Sequence, residues 1–327
     1  MISRRSFLAG ASATAGLAAL AACGKKAQPG SAGESAITLG FSQVGSESGW
    51  RSANTTSIKD AAAAAGIRLK FSDAEQKQEN QIQAIRDYIA QKVDVISFSP
   101  VVSSGWDTVL KEAKAADIPV VLTDRQVDSD ASLWVSLVGS DFENEGERAA
   151  TLLAKVLAQS PVKPVNIAVL EGTTGSAPAL QRAAGFKKVM TASYPDWKVV
   201  VSQTGDFTRA GGKQVMAAFL QAHPEANVLF AHNDDMALGA IQSIEAAGKK
   251  PGTDIKIISI DGVHDGFVAM TKGQINAIVE CNPLLCPQLM ETVKQVRAGQ
   301  TVEKWIKTKE GDFMASDAAA ALPSRKY

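Results

Sequence analysis

Several features that mark particular classes of protein are scarce or missing in this sequence. Acidic and basic side chains are equal in number, 34 of each, so no basic surplus exists to neutralise the phosphates of a nucleic acid. The three histidines are scattered and give no metal-ligand spacing. No G-x-S-x-G motif occurs, and no internal run is long and apolar enough to span a membrane. We therefore expect no nucleic-acid partner, no metal and no cofactor.

Cysteine is also scarce, with three in 327 residues, and two of them stand close together in CNPLLC (residues 281–286). Their spacing matches neither a C-x-x-C redox motif nor a zinc site. In an exported protein, Cys281 and Cys286 can form a local disulfide. Two buried free thiols are the alternative, and in neither case do we expect a catalytic role.

The N-terminal segment has the pattern of an export signal rather than of a folded element. SRRSFL (residues 3–8) resembles a twin-arginine signal, and LAAC (residues 20–23) resembles a bacterial lipobox. Together they predict a signal peptide over residues 1–22, cleavage before Cys23, and lipidation of the Cys23 thiol. Residues 23–35 are then a flexible tether. A plain signal peptide, in which Cys23 has no role, is the alternative.

From Ile37 onward, short apolar runs alternate with segments of helical period, the pattern of parallel sheets flanked by helices. The predicted strands are 37–41, 68–72, 93–99, 119–123, 133–138, 165–170, 199–203, 228–231, 255–260 and 275–279. The predicted helices are 53–65, 78–91, 104–116, 145–158, 177–193, 209–222, 235–247 and 284–298. Because five strands precede Ser140 and five follow it, we predict two similar α/β lobes, with crossings near 139–141 and 279–283.

The turn after the first strand, GSESGWR (residues 45–51), combines an acid, an indole and a guanidinium. It lacks the glycine pattern of a phosphate-binding loop. The face of Trp50 can stack on the apolar face of a sugar ring, while Arg51 donates to hydroxyl oxygens. The turn therefore predicts a polyhydroxylated, partly apolar ligand. A core tryptophan beside a surface arginine is the alternative.

Polar side chains recur after the predicted strands of both halves, where open α/β sheets bind ligands. Asp124 and Arg125 can accept from and donate to neighbouring hydroxyls through charge-assisted bonds. Asn233 can do both at once, and Asp261 precedes a glycine that permits close backbone approach. Solvated turns are the alternative for both acids.

The remaining acidic and aromatic residues near the strand ends receive weaker interpretations. Asp234 and Asp235 are interpreted as caps of the helix that follows them. Trp106 and Glu280 are further candidates for the rim of the cleft. Core packing is the alternative for Trp106.

Six segments carry a resemblance to a known family. They are GFSQVGSESGWR (40–51), KQENQI (77–82), SPVVSSGWDTVLKEAK (99–114), SQTGDFTRAGGK (202–213), AHNDDMALGAIQ (231–242) and SIDGVHDGF (259–267). These segments closely resemble the galactofuranose-binding proteins, which are substrate-binding components of sugar ABC importers in the ribose/galactose-binding superfamily. The resemblance extends from about residue 37 to residue 300. The lipobox-like N-terminus, Cys281 and Cys286 are not part of the family pattern.

The resemblance implies the α/β type I periplasmic-binding-protein fold, with two Rossmann-like, doubly wound lobes joined by a three-segment hinge. It implies a first lobe of residues 36–139 plus 282–303 and a second lobe of residues 140–281 plus 304–327. The implied ligand contacts are Glu47, Ser48, Gly49, Trp50, Arg51, Asp124, Arg125, Arg182, Asn233 and Asp261. Arg182 rests on the resemblance, since its position alone leaves it facing either the cleft or water.

From these observations we expect an exported, lipid-anchored, monomeric protein in the periplasm or on the outer face of the cell membrane. It would capture a monosaccharide between its lobes and deliver it to an ABC permease, without enzymatic activity. A sugar sensor that signals to a chemoreceptor is the alternative.

Overall fold

The computed structural model describes residues 36–327. The predicted signal peptide, Cys23 and the tether lie outside the described residues. The strands are β1 (Thr38–Gln43), β2 (Arg68–Asp73), β3 (Val95–Phe98), β4 (Val120–Thr123), β5 (Ser136–Gly139), β6 (Asn166–Glu171), β7 (Lys198–Thr204), β8 (Val228–Ala231), β9 (Lys256–Asp261), β10 (Ala277–Glu280), β11 (Trp305–Lys307) and β12 (Asp312–Met314). The α-helices are α1 (Gly49–Ala65), α2 (Gln78–Ala90), α3 (Asp107–Ala115), α4 (Phe142–Gln159), α5 (Ala177–Ser193), α6 (Arg209–Ala222), α7 (Asp234–Ala246), α8 (His264–Thr271), α9 (Cys286–Arg297) and α10 (Ala318–Ala321).

The alternation read from the sequence is confirmed, with element ends shifted by a few residues. All ten predicted strands and all eight predicted helices are present. The elements that were not predicted are β11, β12, α8 and α10, which are short. Among the described residues, no helix is both long and apolar enough to span a membrane.

The strands form two six-stranded sheets with equivalent orders. The first sheet has the order β2-β1-β3-β4-β5-β11 and the second has the order β7-β6-β8-β9-β10-β12. Every pairing is parallel except that of β12 with β10. Because each lobe repeats the same order, β4 of the first lobe and β9 of the second occupy equivalent positions.

Helices cover both faces of each sheet, so the central strands are buried along almost their whole length. In the first lobe, Phe41 and Val121 face Leu289 of α9, whereas Ile96 and Phe98 face α2 and α3. Each such side chain contributes about 1.5–3 kcal/mol on full burial. The carboxyl ends of the strands are consequently fixed by two packed layers, and the residues that follow them are held in place.

The chain passes between the lobes three times. The crossings follow β5, follow β10, and separate β11 from β12. The predicted boundary at residue 304 is wrong for Trp305–Lys307, since Trp305 pairs in parallel with Leu137 of the first sheet. A three-residue strand has too little periodicity to be seen in the sequence.

Of the two alternatives for the paired cysteines, the structure has two free, buried thiols. The Sγ of Cys281 lies 3.4 Å from Ser140 Oγ at the first crossing, whereas the Sγ of Cys286 lies 3.7 Å from Asn54 Nδ2 on α1. The two side chains therefore face different surroundings, and the disulfide interpretation is wrong for this structure.

Candidate functional site

A small cavity lies between the carboxyl ends of the two sheets. Its lining combines charged, polar and aromatic side chains from both lobes. The lining residues are Glu47, Ser48, Trp50, Arg51, Asp124, Arg125, Phe142, Pro178, Arg182, Phe207, Asn233, Asp261 and Cys281. The structure thus brings nine of the ten implied ligand contacts to one cavity. Gly49 stands beside them at the start of α1.

The start of α1 fixes Arg51 in the first lobe. Ser48 caps the helix by accepting from the backbone N–H of Arg51. The guanidinium is buried and donates to Asp124 Oδ2 at 2.8 Å and to Glu47 Oε1 at 3.1 Å. Ser99 Oγ also donates to Asp124, at 2.9 Å. An acid one helical turn before Arg51 and an acid after β4 therefore hold the same guanidinium.

Arg125 adds a second buried guanidinium to the first lobe. It donates to the carbonyl of Val101 at 3.2 Å and lies 5.3 Å from the ring centre of Phe207. Burial, together with the nearby Arg51 guanidinium, lowers the pKa of Arg125 to about 10, so it stays protonated at neutral pH. Two arginines face the acids Glu47 and Asp124, and the half-site is balanced in charge. Such a surface suits an uncharged ligand with many hydroxyls.

Arg182 is the corresponding cation of the second lobe. Its Nε donates to Glu145 at 2.7 Å, Nη1 donates to the carbonyl of His232, and Nη2 lies 3.7 Å from Asp261. Burial raises the pKa of Asp261 well above its usual range, against the opposing effect of Arg182. Each lobe therefore pairs an arginine from the helix after its first strand with an aspartate at the carboxyl end of its fourth strand.

Both of these aspartates have left-handed backbone conformations. The φ angle is +62° at Asp124 and +124° at Asp261. A non-glycine residue in this region costs about 1–3 kcal/mol and persists only where the surroundings enforce it. Here the strain turns each carboxylate from the end of its strand into the cavity.

Trp50 belongs to the first lobe but packs in the second. Its indole N–H donates to the carbonyl of Cys281 at 2.6 Å, and its ring joins the cluster that contains Phe142 and Val263. A second contact crosses the same gap, from the backbone N–H of Gly49 to Asp235 Oδ2 at 2.8 Å. These contacts require the lobes to be together, so the structure represents a closed conformation.

The N-cap of α7 differs from the predicted one. Asn233 is the cap, since its Oδ1 accepts from the backbone N–H of Met236 at 3.0 Å. Asp234 instead accepts from the backbone N–H groups of Gly262 and Val263, at 2.8 and 2.9 Å, and so supports the turn after β9. The capping interpretation of Asp234 and Asp235 is therefore wrong. The Asn233 amide keeps one N–H and one lone pair for the cavity.

The two weaker rim candidates lie elsewhere. Trp106 is fully buried against Phe98, with ring centres 4.8 Å apart, which confirms the core-packing alternative. Glu280 accepts from Arg325 at 2.6 Å and from Tyr327 at 3.0 Å, and it does not line the cavity. Its role is to hold the C-terminal segment rather than to form a rim.

Sequence reasoning missed four lining residues, Phe142, Pro178, Phe207 and Cys281. Phe207 is the most informative, because its ring lies near both Arg125 and Arg182, at 5.3 and 6.0 Å from their guanidinium carbons. It sits in an irregular turn with φ +59°, where periodicity carries no signal. An aromatic side chain inside the quoted segment SQTGDFTRAGGK, in a chain with 6% aromatics, was the available clue.

Three side chains at the hinge form a cluster of potential metal-ligand atoms next to the cavity. Atoms of Glu145, Cys281 and Glu310 lie within 4.8 Å of one another. Burial raises the pKa of Glu145 to about 8 and that of Cys281 well above its usual value. Arg182 bonds Glu145 and Arg148 lies 3.7 Å from Glu310, so both carboxyl groups already have a guanidinium partner.

Comparison with known proteins identifies the family to which this chain belongs. A family model described as the periplasmic binding protein domain matches residues 39–300. The chain belongs to this family, which confirms the resemblance and the predicted two-lobe fold. The relatives are solute-binding proteins and not enzymes, as predicted.

Particular relatives are similar over almost the whole described chain. The galactofuranose-binding protein YtfQ of Escherichia coli is 44% identical over 295 residues, which is 89% of this chain and 92% of that protein. A Mycobacterium smegmatis protein in complex with β-D-fucofuranose is 56% identical with a TM-score of 0.86, covering 89% of this chain and 96% of that one. The binding component of the arabinose ABC transporter of Shewanella sp. ANA-3, bound to α- and β-L-arabinofuranose, is 47% identical with a TM-score of 0.84, at 89% and 96% coverage.

Proposed function

We propose that this protein is the extracytoplasmic sugar-binding component of an ABC importer and that it captures a monosaccharide in its furanose form. The observation that carries the proposal is the pair of facing half-sites. Each lobe supplies one buried arginine–aspartate pair, Arg51 with Asp124 and Arg182 with Asp261, to one small closed cavity. Neither half can surround a ligand alone.

The chemistry of the lining fits a neutral carbohydrate. Carboxylates accept from hydroxyls and guanidiniums donate to them, and such charge-assisted bonds are about twice as strong as neutral ones. Trp50, Phe142 and Phe207 offer apolar surface for the carbon skeleton. The cavity is small, which favours one sugar ring over an oligosaccharide.

The furanose preference comes from the relatives. Two of the similar structures contain furanose sugars, and the Escherichia coli relative is named for galactofuranose. A five-membered ring places its hydroxyls at different angles from a pyranose. A closed site with fixed guanidiniums and carboxylates rejects an analogue whose hydroxyls leave these groups unpaired.

Binding and closure are coupled. A sugar that contacts both half-sites favours the closed state, and it shifts the equilibrium only by the difference between its affinities for the closed and open forms. The Trp50 and Gly49 contacts across the gap form in that same state. The closed outer surface is then the form that a permease would recognise, and we expect the protein to act as a monomer.

Isothermal titration calorimetry with two ring-locked galactose derivatives tests the sugar preference. Anhydro-galactitols locked as a furanose and as a pyranose have the same composition and lack a reactive anomeric centre. We expect the furanose form to bind at least about tenfold more tightly, a difference of about 1.4 kcal/mol. Equal affinity would contradict the ring-size preference, and failure of every monosaccharide to bind would contradict the proposed function.

A further inference from the structure

One buried acid touches the sugar site without lining it. Glu145, on α4, has no exposed surface and is absent from the cavity wall, yet its Oε2 accepts from Arg182 Nε at 2.7 Å. The first lobe has no such arrangement, because Glu47, which holds Arg51, is itself part of the wall. In the second lobe, the acid that orients the arginine therefore lies outside the cavity wall.

The hydrogen bonds of Arg182 show what this acid does. A guanidinium has five N–H donors in a rigid fork. Glu145 takes the Nε donor and the carbonyl of His232 takes one from Nη1, and neither acceptor belongs to the cavity wall. The second Nη1 donor and both Nη2 donors remain, and Nη2 is the group nearest Asp261, at 3.7 Å. Two hydrogen bonds from different nitrogens therefore fix the plane of the guanidinium, with Nη2 beside Asp261 at the cavity.

Stacking alone does not supply this orientation. The Arg182 guanidinium carbon lies 5.2 Å from the ring centre of Phe142 and 6.0 Å from that of Phe207, contacts that permit rotation of the fork. Glu145 also stands three residues into α4, directly after the first crossing between the lobes. Its backbone is therefore placed by the hinge.

We propose that Glu145 is a positioning residue for sugar binding, which acts only through Arg182 and contributes to affinity without contacting the sugar. The proposal rests on the proposed function, in which Arg182 donates to sugar hydroxyls. It requires a hydrogen-bond acceptor at this position more than it requires a charge.

Two variants of similar volume separate an acceptor from mere packing. Glu145→Gln keeps an oxygen that can accept from Nε, whereas Glu145→Met fills the space without one. We expect Glu145→Gln to retain binding within about threefold and Glu145→Met to weaken it by at least about tenfold in calorimetry with the furanose-locked sugar. Glu143→Gln, on the exposed face of the same helix, is the control and should bind normally.

A double-mutant cycle shows whether Glu145 acts through Arg182. Arg182→Ala should weaken binding by itself, and adding Glu145→Met to it should cause no further loss of affinity. If Glu145→Met does not fold, Glu145→Asp, which is one methylene too short for the 2.7 Å contact, takes its place and should also weaken binding. Melting curves of the sugar-free variants establish that each is folded.

Two failures are distinguishable. If Arg182→Ala weakens binding but Glu145→Met binds like the wild type, or if their effects simply add, the positioning role is overturned and the sugar site stands. If Arg182→Ala itself leaves the affinity unchanged, the proposed site is wrong and the role of Glu145 falls with it.

Discussion

The backbone N–H of Gly49, in the first lobe, donates a hydrogen bond of 2.8 Å to the Asp235 carboxylate of the second lobe. Gly49 is the first residue of α1, so the acid also faces the positive end of a 17-residue helix. Arg209 holds the other oxygen of Asp235 at 3.1 Å. The contact joins the two sides of the cleft outside the cavity, and it exists only when the lobes are closed.

The first prediction concerns this contact. Asp235→Ala should weaken the binding of every sugar by a similar factor, about three- to tenfold, because it removes a stabilising contact of the closed state and none of the sugar. The loss should appear mainly as faster dissociation in stopped-flow measurements. Asp265→Ala is the matched control, since Asp265 also bonds Arg209 but does not reach the first lobe. A loss confined to one sugar would indicate direct contact instead.

The second prediction concerns the buried charges of the first half-site. Asp124→Asn should reduce sugar affinity by at least about a hundredfold and lower the melting temperature, because two buried guanidiniums then share the single acid Glu47. Asparagine tolerates the left-handed backbone at this position, so the effect reports the lost charge and not strain. The measurements are calorimetric titration and differential scanning calorimetry. Unchanged affinity in a folded variant would remove Asp124 from the site.

The third prediction concerns the pH dependence of stability. Burial, reinforced by the nearby positive charge of Arg182, lowers the pKa of His232 to about 3 from its usual 6.5. At this site the unfolded chain therefore binds more protons between these values, so the contribution of His232 to stability falls as the pH is lowered from about 6.5 towards 3, by at most about 1.4 kcal/mol per pH unit. The raised pKa values of Glu145 and Asp261 act in the opposite direction, because the folded chain binds more protons than the unfolded chain at those groups. Above about pH 6.5, His232 does not contribute to the pH dependence of stability.

Urea unfolding at several pH values between 4 and 7 measures the effect. The unfolding free energy of His232→Leu relative to that of the wild type should rise as the pH is lowered through this range, since the variant has no ring to protonate. His264→Leu removes a half-exposed histidine and serves as the control, whose curve should run parallel to that of the wild type. Parallel curves for wild type and His232→Leu would contradict the prediction.

The fourth prediction concerns the N-terminal segment, which we propose is a twin-arginine signal followed by a lipid-modified Cys23. Cys23→Ser should release the protein from the membrane fraction into a soluble extracytoplasmic fraction, because the thiol that carries the anchor is gone. Replacing Arg4 and Arg5 with lysine should instead block export. Cys286→Ser is the control and should remain membrane-bound. Retention of Cys23→Ser at the membrane would contradict lipidation at this residue.

The alternation of strands and helices was predictable because each buried strand and each amphipathic helix has its own period. Most of the candidate site was predictable because polar residues follow strands whose ends must meet, whereas Arg182 was assigned through the family resemblance. Phe207 and β11 could not be predicted. An aromatic residue in an irregular turn and a three-residue strand have no periodicity to detect. The packing of Trp106 inside the core and the separation of Cys281 from Cys286 depend on the directions of the side chains. Spacing in the sequence does not reveal these directions.

The position of Trp50 makes the intrinsic fluorescence of the protein sensitive to closure of the lobes. In the closed form its indole is 4% exposed and hydrogen-bonded to the carbonyl of Cys281 on the opposite side of the gap. Opening the lobes transfers that ring to water, while Trp106 stays buried inside one lobe throughout. Tryptophan emission of the unlabelled protein should therefore shift to the blue as sugar closes the cleft, with the other four tryptophans contributing background.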